Sequence, residues 1–327
     1  MSFDVFGIGN TLVDIEAQVS DQTLEQLGYT KGVMTLVEHE AQTGVLTALH
    51  DHPRHRCAGG SAANTMLGVA GFGGRAAYAG KVGEDELGAF CLDDMRKAGV
   101  AIDVPPGEGS TGTCVVLITE DAQRTMLTHL GASSNLSCQD IDEQRIRESA
   151  YIYVEGYLWT NDSTRETALH AIKLAEEHGV KIALTASDPF LITLFKDAFW
   201  DLIKGPVDLL FCNLEEARSL TDEEDAGACG RILSEHAGLV AVTQGADGSM
   251  LFDADQTIEI EGVPVQAIDT TGAGDMYAAG LLYGLTNGLT LRESGRLASH
   301  ASARVVSQLG ARLNQPFTAE ELQSLRD

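Results

Sequence analysis

Positive charge is scarce in this chain. Its 22 lysines and arginines stand against 48 aspartates and glutamates, a formal net charge of −26 at pH 7. Nucleic acids and anionic membranes are gripped through basic patches, so neither is expected as a partner. No apolar run approaches the roughly 18 residues of a membrane span. Met1-Ser2-Phe3-Asp4 also lacks the basic start of a signal peptide, so the cytoplasm is the expected compartment. The six cysteines, Cys57, Cys91, Cys114, Cys138, Cys212 and Cys229, include no C-x-x-C pair. That spacing suggests neither a disulfide framework nor a zinc site, and they read as small core residues. His50, His52 and His55 cluster around Pro53, but Asp51, Arg54 and Arg56 beside them indicate a solvated loop rather than metal ligands. A G-x-x-x-x-G-K-[ST] phosphate loop is missing, so any kinase chemistry needs another scaffold. A dinucleotide fingerprint begins at Gly7-Ile8-Gly9 and fails at Leu12, which argues against hydride transfer.

What is present is a globular composition, 44% hydrophobic and 21% charged, over 327 residues. A first strand is expected over Asp4–Gly9. From Tyr151 onward, short apolar strands alternate with helices (strands at 151–155, 181–185, 207–212 and 239–243). That alternation predicts right-handed βαβ units and a parallel sheet covered by helices on both faces. Ligands of such sheets sit beyond the C-terminal strand ends. The loops at Asn10, Gly156, Asn213, Gln244 and Gly272 all follow predicted strands and can line one crevice.

One stretch organises these loops. In Asp269-Thr270-Thr271-Gly272-Ala273-Gly274-Asp275, two glycines open an Ala- and Leu-rich helix. A helix mouth offers unpaired N–H groups and a partial positive charge, which suits an anion. A carboxylate in the same turn would repel a phosphate. It makes sense if Asp275 takes a proton from a hydroxyl while the amides stabilise a migrating phosphoryl group. The same pattern also serves an ordinary helix start capped by Asp269 or a threonine. Cys57-Ala58-Gly59-Gly60-Ser61-Ala62-Ala63-Asn64 is a second glycine loop opening a small-residue helix, with Asn64 on its first turn. Between Asn10 and Ala17 the residues alternate, so Asn10, Leu12, Asp14 and Glu16 share one face. Leu12 offers a plate for a ring and Asp14 a carboxylate for vicinal hydroxyls; the alternative is a polar face in water. Asn213 and Glu216 can hold Mg²⁺ through waters, or simply form a capping box.

Ala58–Asn64 and Asp269–Asp275 together resemble the two signatures of the PfkB (ribokinase-like) carbohydrate and nucleoside kinases. The similarity extends over nearly the whole chain and is strongest to the adenosine kinase branch, on Gly9–Ile15, Thr111–Cys114, Asp188–Phe190 and Val207–Asn213. The resemblance implies a three-layer α/β/α core with a mostly parallel sheet (residues 1–11, 56–102 and 132–327). It also implies a small β-rich lid from two insertions, 12–55 and 103–131. By the same resemblance Asp275 is the base, and the amides of Gly272, Ala273 and Gly274 form the anion hole. Asp14, Gly60 and Asn64 hold ribose hydroxyls with support from Asn10, Leu12 and Tyr157 bracket the base, and Arg124 swings over the phosphates. Thr243 and Gly245 belong to the ATP side with Asn213, and Asn213 and Glu216 to magnesium. Asp269 and Thr271 belong to a monovalent cation such as K⁺.

The activity so implied is ATP- and Mg²⁺-dependent phosphorylation of a nucleoside 5′-hydroxyl, foremost adenosine to AMP. Glu155 departs from the animal adenosine kinases and leaves a second reading open, a sugar kinase acting on ribose, fructose or a relative. It can accept from an adenine amino group or from an anomeric hydroxyl, and buried there it needs a donor partner. A catalytically silent binding relative is disfavoured by the intact Asp275, Gly272 and Gly274. No motif speaks to oligomeric state.

Overall fold

The structure, a computed structural model, describes residues 2–253 and 256–325. Among these residues, thirteen strands form two sheets. Along the chain these are β1 (Phe3–Ile8), β2 (Leu12–Gln18), β3 (Met34–Leu36), β4 (Arg54–Gly59) and β5 (Ala76–Ala79). Then come β6 (Gly112–Ile118), β7 (Arg124–His129), β8 (Ser149–Glu155) and β9 (Lys181–Thr185). The last are β10 (Leu209–Asn213), β11 (Leu239–Thr243), β12 (Ser249–Asp253) and β13 (Thr257–Ile260).

The larger sheet runs β13-β12-β11-β10-β9-β8-β1-β5. All its pairings are parallel except those of the β12–β13 hairpin. Its central strands are largely apolar because both faces are covered, whereas the edge strand β13 alternates exposed and buried residues. Val5, Tyr153, Ala183 and Phe211 point into one core layer with the helices Ser61–Gly71, Ala273–Thr286 and Leu291–Val306. Phe6, Ile152, Leu184 and Leu210 point into the other, with the helices Asp162–His178, Pro189–Lys204 and Ala226–Ser234. This is the expected α/β/α sandwich. Among the described residues, no helix is long and apolar enough to cross a membrane.

The smaller sheet runs β3-β7-β6-β2-β4. Here sequence reading needs two corrections. Residues 54–56 form no solvated loop but belong to β4, which pairs antiparallel with β2 as far as Gly59, beyond the expected lid boundary at 55. And β2 does not turn a polar side to water: Leu12 to Ala17 are all buried. Val13, Ile15 and Ala17 pack with Leu24, Val45 and Leu49 from the helices Asp21–Leu27 and His39–Ala48. Leu12 packs with Cys114, Val116 and Ile118 on the opposite face.

In the larger sheet the chain leaves β1 and returns on both sides of it, to β5 and to β8. The crevice outside a sheet's carboxyl ends opens at such a switch point. Asn10 follows β1 and Glu155 ends β8, so both stand at that opening.

Candidate active site

A single cleft of about 610 Å³ lies between the carboxyl ends of the large sheet and the small sheet. Every residue given a catalytic, substrate, ATP or metal role from the sequence lines it except Asp269, which is fully buried; Gly156 and Gln244 do not line it, although Tyr157 and Gly245 beside them do. The topology therefore gathers loops far apart in sequence into one place.

The helix Ala273–Thr286 starts without a side-chain cap. Gly272 is its N-cap with φ 76°, and a Cβ there would also meet the backbone of Ala311 at 2.6 Å. Neither Asp269 nor a threonine caps it. Instead Asp269 braces the loop: Oδ1 accepts from the Thr271 amide and hydroxyl, and Oδ2 from the Gly310 amide at 2.9 Å. No backbone carbonyl of the described residues accepts from the amides of Gly272, Gly274 or Asp275. The Ala273 amide is less free, donating to the Thr270 carbonyl at 3.3 Å. Open space surrounds Gly274 on its cleft side. The mouth of this helix thus presents unpaired donors to the cleft.

Asp275 lies in that first turn. Its Oδ1 accepts from the Ser61 hydroxyl at 2.6 Å and its Oδ2 from the Asn64 amide nitrogen at 3.0 Å. Two helix mouths are thereby joined through one carboxylate. Desolvation raises its pKa above the ordinary carboxylate range, opposed by Ser61, Asn64 and the charge of Arg124. A carboxylate so placed is oriented and more basic than one in water. Ser61 received no role from sequence reading, although it stands inside the quoted motif. A hydroxyl one position after a helix N-cap has too many uses for its type alone to reveal a partner 214 residues away. Asn64 is turned toward Asp275, while its Oδ1 is buried with no hydrogen-bond partner. That orphan acceptor sits in a residue lining the cleft.

Asp14 is likewise buried, and no described residue donates a hydrogen bond to it. Burial first, then Glu16, pushes its pKa up to about 7. Its carboxylate occupies the space where Gly59 lacks a side chain, since a Cβ there would lie 2.1 Å from Oδ2. Glu155 is the opposite case. Its Oε1 accepts from the Asn10 backbone amide at 2.6 Å and the Asn10 side chain at 3.0 Å, and its Oε2 from the Ala62 amide at 2.8 Å. The donor partners that a buried acid requires at this strand end are the protein's own. They tie β1, β8 and the Ser61–Gly71 helix together.

Arg124 reaches from β7 to the organising loop and donates to the Thr270 carbonyl at 2.9 Å, so it latches the small sheet to that loop. The Tyr157 hydroxyl donates to the Ser187 carbonyl at 3.2 Å. Asn213 and Glu216 form the capping box. The Asn213 amide and side chain donate to the two Glu216 carboxylate oxygens at 2.9 and 2.7 Å, and the Glu216 amide returns a bond to Asn213 Oδ1. Glu216 is buried and its pKa is pushed up to about 7 by desolvation. Each of its oxygens keeps a lone pair, and both residues line the cleft, so the pair fits a hydrated divalent ion. Thr243 pairs in register with Asn213, and Gly245 turns the chain beside them with φ 60°.

Two walls went unread in the sequence. Met34, Cys114, Val116, Met126 and Leu130 line the cleft with Leu12, and so do Val263, Pro264, Val265 and Ala267. Their alternation was visible, but not which face would look inward.

With this geometry in view, comparison with known proteins is decisive. The profile described as pfkB family carbohydrate kinase matches residues 32–318. The chain belongs to the PfkB family. PfkB kinases are phosphotransferases acting on hydroxyl groups, and this one is such an enzyme, with ATP and typically Mg²⁺ implied by the family. Its fold matches the adenosine kinase of Sinorhizobium meliloti with a TM-score of 0.94 and 36% identity, covering 99% of this chain and 100% of that one. A probable sugar kinase of Rhizobium etli matches with TM-score 0.94 and 33% identity over 99% and 98% of the two chains. By sequence, this PfkB kinase is 25% identical to the 5-dehydro-2-deoxygluconokinase of Shouchella clausii, over 97% of the chain and 94% of that protein.

Proposed function

We propose that this PfkB kinase transfers the γ-phosphoryl group of ATP to the 5′-hydroxyl of a nucleoside, adenosine above others. The observation that carries this reading is the pairing of an apolar wall (Leu12, Val116, Met126 and Leu130) with two unsatisfied polar groups, Asp14 and Asn64 Oδ1, in one cleft. A free sugar has hydroxyls for the polar groups but nothing for the wall. A nucleoside has both, with its base against the wall and Tyr157 across from it. The likeness to the Sinorhizobium meliloti adenosine kinase supports the same choice.

In this reading Asp275, held by Ser61 and Asn64, takes the proton of the attacking hydroxyl. The free amides of Gly272 and Gly274, with Ala273 behind them, stabilise negative charge on the transferring group. Asn10 supports the ribose side, near Gly60. Arg124 offsets phosphate charge from the small sheet, which acts as a lid excluding water. Thr243, Gly245 and the 263–267 wall receive the nucleotide. Magnesium, when bound, neutralises phosphate charge, and Asn213 and Glu216 would hold it through waters. Asp269 and Thr271 are already bonded to each other, so a role in binding a monovalent cation rests on the family resemblance alone.

The sugar reading has support of its own in the full-length similarity to 5-dehydro-2-deoxygluconokinases. Initial rates with ATP and adenosine, inosine, ribose, fructose or 5-dehydro-2-deoxygluconate, measured side by side, decide between them. Adenosine should show the highest kcat/KM; a sugar in first place overturns the nucleoside assignment and leaves the family intact.

A further inference from the structure

The pairing of β2 with β4 has a second consequence, away from the cleft chemistry. Paired residues on antiparallel strands share a face. Glu16 stands opposite His55, and Cys57 stands opposite Asp14, two positions along on that same face. Glu16 Oε2 lies 3.3 Å from His55 Nδ1, Glu16 Oε1 lies 3.7 Å from Cys57 Sγ, and all three ligand atoms fall within 4.8 Å of one another. Zinc bonds of about 2.0–2.3 Å at tetrahedral angles place ligand atoms about 3.3–3.6 Å apart. The Glu16 carboxylate therefore already reaches both partners at about that distance, one oxygen toward each. The remaining contraction, from 4.8 Å at most, falls to the His55 side chain, which is 63% exposed. Glu16, in contrast, is only 3% exposed. Its nearby charges are Asp269 and Asp14, both carboxylates, and His55. Arg312, on the Asp14 side, is taken up by Asp94 and the Ala58 carbonyl.

We propose that Glu16, His55 and Cys57 form a binding site for one zinc-like divalent cation, with a fourth position open to water. Imidazole, thiolate and carboxylate together favour Zn²⁺ or Co²⁺ over Mg²⁺, which takes oxygen ligands. On binding, the Cys57 S–H bond breaks, its proton passes to water, and the sulfur electron pair forms the metal bond. The site staples β2 to β4 at the rim of the small sheet and does not depend on the nucleoside reading.

The test uses the full chain stripped with EDTA and titrated with Co²⁺ alone. One equivalent should bind, with a thiolate-to-cobalt charge-transfer band in the near ultraviolet and the visible bands of a four-coordinate ion. Zn²⁺ should displace it and Mg²⁺ should not. Cys57→Ser should abolish the charge-transfer band, and both it and His55→Gln should weaken binding at least about tenfold, a loss on the scale seen even for outer-shell partners. Both variants should keep phosphotransfer assayed with ATP and Mg²⁺ without added Zn²⁺ or Co²⁺, which shows that they fold. Binding without the thiolate band, binding unaltered in Cys57→Ser, or no binding at millimolar Co²⁺ each overturns the proposal.

Discussion

Two pairs of buried acids divide this cleft. Glu155 and Glu216 sit at the ends of β8 and just past β10, and protein donors hold both carboxylate oxygens of each. Asp14 and Asp275 line the same cleft, one with no donor among the described residues and the other held by two side chains beside a helix mouth of free amides. All four have pKa values raised by desolvation. Burial alone therefore does not separate an acid that builds the site from one that works in it. The partners do: backbone amides fix Glu155 and Glu216 into the frame, whereas Asp275 is held by side chains alone and Asp14 by no donor of the described residues.

The sharpest way to break this division is Asp275→Asn. If Asp275 is the base, kcat should fall about 10²- to 10⁴-fold with the acceptor Kd little changed. Asn preserves the shape and can still accept from Ser61. Single-turnover rates and calorimetric binding measure the two quantities separately, and near-normal turnover would move Asp275 into the frame class.

Arg124 tests the reach of the working class across to the small sheet. Arg124→Ala removes a charge-assisted hydrogen bond to Thr270 and the cation that acts on Asp275. Such bonds are worth about 1.5–3 kcal/mol, so kcat/KM for ATP should drop roughly 10- to 100-fold. A drop confined to thermal stability would make Arg124 a latch only.

Glu155→Ala probes the frame. It orphans the buried amides of Asn10 and Ala62, at about 1–3 kcal/mol each, so the melting temperature should fall by several degrees. The adenosine-to-inosine ratio of kcat/KM should stay the same. A changed ratio would mean that Glu155 touches the base after all.

Much of the division could be read from the chain itself. The two glycine loops, the alternating β2 face and the β/α periodicity were all local patterns, and local patterns place elements and their mouths. Long-range pairing lay beyond them. Nothing near Ser61 points to Asp275, nothing near Glu155 points to the Ala62 amide, and the charged run His50–Arg56 hid a strand whose partner made it one. Glu155 shows the limit clearly: the sequence required a donor for it but could not say that the donors were Asn10, just past β1, and the backbone amide of a helix start.

The smallest effect is the most discriminating, because it sets function against stability. Asp14 has a native pKa near 7, above its ordinary 3.8. Between those values the folded chain holds a proton that the unfolded chain releases. Stability from this group is therefore fully present below about pH 4 and is lost as pH rises through 7. Asp14→Asn removes the charge without removing any protein hydrogen bond. The variant should melt higher than the parent at pH 8, and the gap should close as pH falls toward 4. Acceptor KM at pH 8 should rise, by roughly tenfold for the loss of a charged hydrogen-bond acceptor. A frame acid cannot show this combination, since neutralising Glu155 or Glu216 also disturbs the donors that hold it. If Asp14→Asn instead melts lower at pH 8, Asp14 is bonded within the protein and the contrast between the two pairs fails at its simplest member.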